Sequence, residues 1–155
     1  MPGEPSSGLI FGVSPTPVGK VVGAADFDTV QAVCFRWTLT TGSTSSYPIP
    51  NVAPRNFDPA RYELLARGFA SGQYTLIEHV FNNYPASNVY DFNSRAVGSL
   101  DYYDAAGTGL KYYQALYAGD YASAEMHRQT ILDHTYGLFY WLAYYPDARI
   151  PAAVR

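Results

Sequence analysis

The sequence predicts an α+β domain in which a small, mainly antiparallel sheet packs against a long C-terminal helix. Three observations predict this fold class. Residues 29–40 alternate between apolar and polar side chains, residues 121–145 carry apolar side chains at steps of three and four, and 24 of the 155 residues are glycine or proline. The first pattern is typical of a half-buried strand, the second of an amphipathic helix, and the third of long connecting loops.

The predicted strand over residues 29–40, TVQAVCFRWTLT, has two distinct faces. Every second residue from Val33 to Leu39 is a large apolar one, so these side chains share one face. The opposite face carries Arg36. If both faces of the strand are covered, this charge needs a carboxylate partner or an anionic ligand, and if its face is open it is simply solvated. Arg36 is therefore a candidate binding residue.

A short helix is predicted over residues 59–67, and it begins within the stretch FDPARYELL at 57–65. Asp58 is a good N-cap, and Pro59 suits the first helical position because its missing N–H group is not needed there. Gly68 is placed to end the helix after Arg67. Taken alone, this stretch is a well-capped surface helix and carries no chemistry.

The long helix is predicted over residues 121–145, with Asp120 as its cap and Pro146 as its stop. Its apolar stripe includes two histidines, His127 and His134. The C-terminal half of the helix is apolar over most of its circumference, which predicts burial on several sides.

The remaining segments show weaker patterns. By its length the chain makes one domain. We expect an extended arm or loop at residues 1–26, a loop at 41–57, a strand or helix at 73–81, a short strand or polar loop at 88–94, and a helical turn near 109–117.

Composition excludes several classes of protein. The net charge of −3 does not favour binding to nucleic acid or to an anionic membrane. A lone cysteine, Cys34, excludes an internal disulfide and a multi-cysteine zinc site. There is neither an apolar run long enough to span a bilayer nor a basic-then-apolar N-terminal signal, so we expect a soluble, cytoplasmic chain. The 15 tyrosines predict an aromatic surface that serves as a pocket or an interface.

The histidines invite a metal hypothesis that their spacing disfavours. His134 follows His127 by seven helical positions, which places them roughly 10.5 Å apart along the axis. One metal ion at about 2 Å from each ligand cannot bridge that distance. His134 is then either a polar group lining a pocket or a hydrogen-bonded core histidine, and the sequence leaves both open.

A second group of polar residues lies between the strand and the long helix. Asn88, Asp91, Asn93 and Asp101 make a polar patch that can bind a hard cation, but they lack the regular spacing of an EF-hand loop. Turns rich in Asn and Asp explain such a cluster equally simply. The motifs GxGxxG, GxxxxGK[ST] and GxSxG do not occur, so the sequence predicts no cofactor or phosphate site of its own and no serine nucleophile.

A family resemblance is carried by several segments taken in order along the chain. They are PGEPSSGL at 2–9, VQAVCFRWTLT at 30–40, FDPARYELLAR at 57–67, DFNS at 91–94, DYASAEMHRQTILDH at 120–134, GLFYWLA at 137–143 and YPDARIP at 145–151. Together they resemble bacterial FAD-dependent oxidoreductases with a glutathione-reductase-like FAD domain. No single segment is diagnostic, but their order and spacing are fairly specific.

The resemblance implies a role on the substrate side of a flavoenzyme. In that family these segments form the middle region, between an N-terminal dinucleotide-binding half and a C-terminal segment that completes the FAD site. The positions of Arg36, Asp91 and Asn93 match the family pattern. With Asp101, His134 and Tyr136, they make the expected substrate-binding set. No FAD is expected on this chain alone, and FAD enters only through a partner chain that supplies the dinucleotide-binding domain.

Three hypotheses about function follow. The first is a detached substrate domain that acts with a separate FAD-bearing chain or by self-association. The second is a non-catalytic binding or structural module that uses a tyrosine-rich surface. The third is a small enzyme whose acid–base set is Arg36, His134 and Asp91.

Overall fold

A computed structural model describes residues 37–40, 47–81, 89–92 and 106–155, with Asp91 and Phe92 described by their backbone. The chain is α+β, as predicted. Its elements are strand β1 (Trp37–Thr40), a 3-10 helix (Pro59–Tyr62), α1 (Glu63–Ala70), α2 (Ile77–Val80), strand β2 (Val89–Phe92), α3 (Tyr112–Ala118) and α4 (Tyr121–Ala143). The predicted arm at 1–26 and the part of the predicted strand at 29–36 lie outside the described residues.

The two strands form an antiparallel pair. Trp37 is opposite Phe92, and Leu39 is opposite Tyr90. Along β1 half-buried and exposed residues alternate, which confirms the predicted faces of the strand over Trp37–Thr40. Because successive side chains point to opposite sides of a strand, Trp37 and Leu39 share the face that packs on the core.

The helix predicted at 59–67 is present, but it ends later than expected. Asp58 caps it, since its Oδ1 accepts a hydrogen bond from the Ala60 backbone N–H at 2.9 Å. The chain then makes one 3-10 turn and continues as α1 to Ala70. Gly68 does not end the helix. It lies directly beneath the Tyr74 ring, where an added Cβ would overlap ring carbons, so this glycine allows close packing instead.

Helix α4 begins where predicted and ends at Ala143, two residues earlier than the expected Tyr145. Asp120 is its cap, with Oδ1 accepting from the Ser123 backbone N–H at 3.0 Å. The predicted burial of its C-terminal half on several sides is confirmed. Its buried side chains face both the α1 side and the sheet side of the core, and they include Leu138, Phe139, Trp141 and Leu142.

The segments with ambiguous patterns resolve into short elements. The stretch at 73–81 contains the single-turn helix α2, the stretch at 88–94 contains β2, and the helical turn expected near 109–117 is α3. Helix α3 packs against the N-terminal part of α4, with Ala115 and Ala124 both buried.

Residues 144–155 fold back along α1 and the end of α4. Ile150 and Val154 are buried in the core. Arg149 binds the Asp147 carboxylate through Nε and a terminal nitrogen, at 2.9 and 2.8 Å, and its third nitrogen binds Glu63 of α1 at 2.9 Å. This C-terminal segment therefore fixes α1 to the end of the long helix. No helix among the described residues is long and apolar enough to cross a bilayer.

Candidate functional site

A row of nearly parallel rings, here called the aromatic stack, joins α1 to α4. It consists of Phe57, Tyr62, His134, Trp141 and Phe69. Tyr62 is central, because its ring lies 5.2 Å from that of His134 and 5.5 Å from that of Trp141, with interplanar angles of 23° and 24°. Stacked aromatic pairs at these distances each add about 0.5–1.5 kcal/mol beyond their buried area. The aromatic stack thus connects the 3-10 helix and α1 to α4 by direct ring contacts.

One hydrogen bond and one glycine hold the Tyr62 ring in place. The Tyr62 hydroxyl donates to the backbone carbonyl oxygen of His134 at 2.8 Å. Gly137, one turn further along α4, leaves the space that this hydroxyl occupies, since a Cβ there would overlap it. Burial raises the pKa of the Tyr62 phenol, so the hydroxyl keeps its proton and remains a donor.

The sequence left two interpretations of His134 open, a pocket residue or a core histidine. The structure places its ring in the aromatic stack with 2% of its surface exposed. His127 is a core histidine too, because it is 1% exposed and its Nε2 is 2.7 Å from the Leu110 carbonyl oxygen. A carbonyl can only accept, so Nε2 carries the proton in this contact. The third histidine, His79, accepts a hydrogen bond at Nδ1 from the Thr75 backbone N–H at 3.1 Å.

A second aromatic group, here called the sheet–helix junction, lies where β1 meets α4. Trp37 is in edge contact with Tyr136, at a centroid distance of 5.0 Å, and with Phe139 at 5.9 Å. Tyr136 remains 37% exposed. The Trp37 indole N–H is buried and finds no hydrogen-bond partner among the described residues. A buried donor of this kind is uncommon and is a place where a ligand acceptor would be stabilised.

The six residues predicted to bind substrate divide into three groups. Tyr136 belongs to the sheet–helix junction, and Asp91 lies in the same sheet but pairs in register with Thr38, which is on the face of β1 opposite to Trp37. His134 lies in the aromatic stack, on the side of α4 that faces α1. Positions i and i+2 on a helix are about 200° apart, so His134 and Tyr136 contact different elements. The other three lie outside the described residues: Arg36, Asn93 and Asp101.

The charged group around Arg149 was not predicted as a feature of the molecule. Hydrogen bonds from Arg149 lower the pKa of Asp147. The pKa of Glu63 is lowered mainly by its hydrogen bond with Arg67 and to a smaller extent by Arg149. The same carboxylates raise the pKa of Arg149, which stays charged. The signal available in the sequence was the Asp147-Ala148-Arg149 spacing just after the helix stop, followed by the apolar Ile150. Every charge here is paired, which is the pattern of a structural clasp.

Metal chemistry has no support in the described part of the chain, where no three His, Cys, Asp or Glu side chains come together. Comparison with family models, with curated proteins and with solved structures finds no match.

Proposed function

We propose that this chain is the substrate-side unit of a FAD-dependent oxidoreductase and that the flavin is supplied by a separate FAD-bearing chain. The observation that carries the proposal is the sheet–helix junction. There Tyr136, a helix residue predicted to bind substrate, is in edge contact with Trp37 of β1. Tyr136 is accessible, and the Trp37 N–H offers a donor that no described residue takes up.

A second observation supports the same proposal. Three of the segments that resemble the flavoenzyme family contact one another. FDPARYELLAR contacts the long helix through Tyr62 and His134, and it contacts YPDARIP through Glu63 and Arg149. Such contacts are expected if the three segments belong to one folded unit.

In this proposal the chain's own residues bind and orient the substrate. The junction offers an aromatic wall, from Trp37 and Tyr136. The predicted alternation of the strand puts Arg36 on the face opposite to Trp37, so Arg36 is not assigned to the junction. FAD, when bound by the partner chain, supplies the redox chemistry.

The test uses FAD itself as the probe. The purified chain is mixed with FAD, desalted and examined for a flavin absorbance band, alone and after co-purification with a GxGxxG-containing chain encoded beside it. We expect the band only in the pair. A band retained by this chain alone, or two chains that elute separately in size-exclusion chromatography, would contradict the proposal.

The role of the junction is tested in the reconstituted pair with matched variants. Tyr136 and Tyr144 both lie at α4 with 37% and 38% of their surface exposed, but only Tyr136 belongs to the junction. The flavin is reduced with an anaerobic extract of small molecules from the producing cells, and its reduction is followed as bleaching of the absorbance band. We expect Tyr136→Ala to slow bleaching of the flavin band and Tyr144→Ala to leave it unchanged. Equal rates for the two variants would remove the junction from the proposal.

A second candidate function is favoured by a different observation. At the corner between α3 and α4, Tyr117 and Tyr121 are 96% and 73% exposed, and the neighbouring Leu116 is 43% exposed. Exposed tyrosines of this kind are enriched at protein interfaces. They support a non-catalytic binding module, and they predict that Tyr117→Ser with Tyr121→Ser abolishes complex formation without affecting folding. Analytical ultracentrifugation of the chain and its variant checks this.

A further inference from the structure

The loop that precedes the 3-10 helix, here called the connecting loop, is residues 47–57, YPIPNVAPRNF. It contains no helix or strand. Two hydrogen bonds hold it within the described part of the chain. The Tyr144 hydroxyl donates to the Ile49 carbonyl oxygen at 2.7 Å, and the Phe57 backbone N–H donates to the Pro54 carbonyl oxygen at 3.2 Å. A stretch with so few bonds opens locally without unfolding of the core.

Arg55 lies in a turn of the connecting loop. Its side chain is exposed, and it makes neither a hydrogen bond nor an ion pair with any described residue. A trypsin-like protease binds an arginine side chain in a pocket that contains a carboxylate, where charge-assisted hydrogen bonds replace those to water. Arg55 gives up no interaction within its own chain when it enters such a pocket.

The backbone at Arg55 also becomes extended at low cost. Asn56 has a φ of 59°, in the left-handed region that residues other than glycine adopt only with strain. A bound peptide chain in extended form loses this turn. Its opening breaks the hydrogen bond between Phe57 and Pro54 and releases the strain at Asn56, so the two effects oppose each other.

The other lysines and arginines of the described chain are protected by helices or by bound side chains. Helical backbone cannot extend into a protease cleft without breaking its own hydrogen bonds. Those in helices or at a helix start are Arg61, Arg67, Lys111 and Arg128. In the C-terminal segment, Arg149 binds two carboxylates and Arg155 binds two backbone carbonyl oxygens.

We propose that the Arg55–Asn56 peptide bond is a processing site for a serine protease that cleaves after arginine. The protease's serine hydroxyl adds to the Arg55 carbonyl carbon, and the Asn56 nitrogen takes up the proton and leaves as an amine. Water then cleaves the resulting ester, which releases the Arg55 carboxylate and restores the serine. The net reaction adds one water molecule across the bond. The proposal goes beyond the flavoenzyme hypothesis and does not depend on it.

Cleavage at this bond leaves the two fragments in contact. Strand β1 precedes the cut, whereas both elements that it contacts, β2 and α4, follow it. Leu39 is opposite Tyr90 in the sheet, and Trp37 is in edge contact with Tyr136. The cut therefore turns the sheet–helix junction into a non-covalent contact between two chains.

The test treats the folded full chain with dilute trypsin and identifies the fragments by intact mass, at low conversion so that each chain is cut at most once. We expect cleavage after Arg55 to be about tenfold or more faster than after any other described lysine or arginine, because those bonds need larger openings. The products are residues 1–55 and 56–155, and we expect them to elute together in native size-exclusion chromatography.

Two arginine variants provide the matched control. Arg128 has 44% of its side chain exposed but lies in α4, so Arg55→Gln and Arg128→Gln each remove one exposed arginine. We expect only Arg55→Gln to abolish the rapid cut, with unchanged far-UV circular dichroism in both variants. The proposal is overturned if another described basic residue is cut as fast as Arg55, or if both variants are digested alike. Fragments that separate on the native column overturn the inferred contact between them.

Discussion

The hydroxyl of Tyr62 donates a hydrogen bond to the backbone carbonyl oxygen of His134, 72 residues further along the chain, at a distance of 2.8 Å. Both residues are buried, and their rings stack with centroids 5.2 Å apart. A single tyrosine thus joins the end of the 3-10 helix to the middle of α4.

Tyr62→Phe keeps the stacked ring and removes the hydroxyl. We expect the free energy of unfolding to fall by about 1 kcal/mol, since a buried neutral hydrogen bond contributes about 0.5–1.5 kcal/mol. Urea unfolding followed by tryptophan fluorescence measures this. Tyr117→Phe, at a residue that is 96% exposed, is the control and should have no effect. Equal midpoints for the two variants would show that the bond contributes nothing.

Gly137→Ala introduces a methyl group into the space occupied by the Tyr62 hydroxyl. Alanine favours a helix by about 1 kcal/mol over glycine, but overpacking costs about 1–3 kcal/mol. We expect a net loss of stability. In the Tyr62→Phe background part of the overlap is removed, so the loss should be smaller there. Additive effects of the two substitutions, measured by the same unfolding experiment, would contradict this packing relationship.

The Asp147 carboxylate makes stability dependent on pH. Hydrogen bonds from Arg149 hold its pKa below the ordinary value of 3.8. A lowered folded-state pKa contributes stability that is present above that ordinary value and is lost as the pH falls through the lowered one. We expect Asp147→Asn to reduce the free energy of unfolding by about 1 kcal/mol near neutral pH, because Arg149 is partly exposed and its interactions are screened by solvent and salt.

The same variant should also flatten the acid limb of the stability curve, measured by urea unfolding from pH 7 to pH 3. Asp58→Asn is the matched control. It replaces an exposed carboxylate that caps a helix, and asparagine caps equally well. If the free energy of unfolding falls equally steeply with decreasing pH in Asp147→Asn and in the unmodified chain, the Asp147–Arg149 interaction is not a source of acid sensitivity.

His127 fixes the loop before α3 through its bond to the Leu110 carbonyl oxygen. We expect His127→Leu to cost about 1–3 kcal/mol and to accelerate amide hydrogen exchange in α3, because a buried hydrogen bond is lost. His127→Gln keeps an N–H donor and should lose less. Identical exchange rates in the two variants would assign the role of His127 to packing alone.

The sequence predicted the elements with strong local signals. Helix α4 has a cap at Asp120, a stop at Pro146 and an apolar stripe, so its type and start were correct and its end differed by two residues. The end predicted for the first helix was wrong, because Gly68 is set by a tertiary contact with Tyr74 that no local pattern reveals. At this position tertiary packing overrides the local tendency of glycine to end a helix.

The candidate site was predictable only in part, for a related reason. Periodicity placed His134 on an apolar stripe but could not show that the Tyr62 ring would cover it. It also could not show that Tyr136, two residues away, would meet Trp37. Such contacts depend on how separate elements dock, and that information is not contained in any window of the sequence. Arg36, Asn93 and Asp101 stay predictions.

The Tyr62–His134 contact also bears on how fast this chain can fold. Closing a loop of 72 residues costs about 2.5 kcal/mol more in chain entropy than closing one helical turn. Helix α4 can form its turns locally within microseconds, whereas α1 gains its partners only after this long closure. We therefore expect the Tyr62 ring to join the aromatic stack last. The folding rate should then be set by how quickly the segment FDPARYELL docks against α4 beside Gly137.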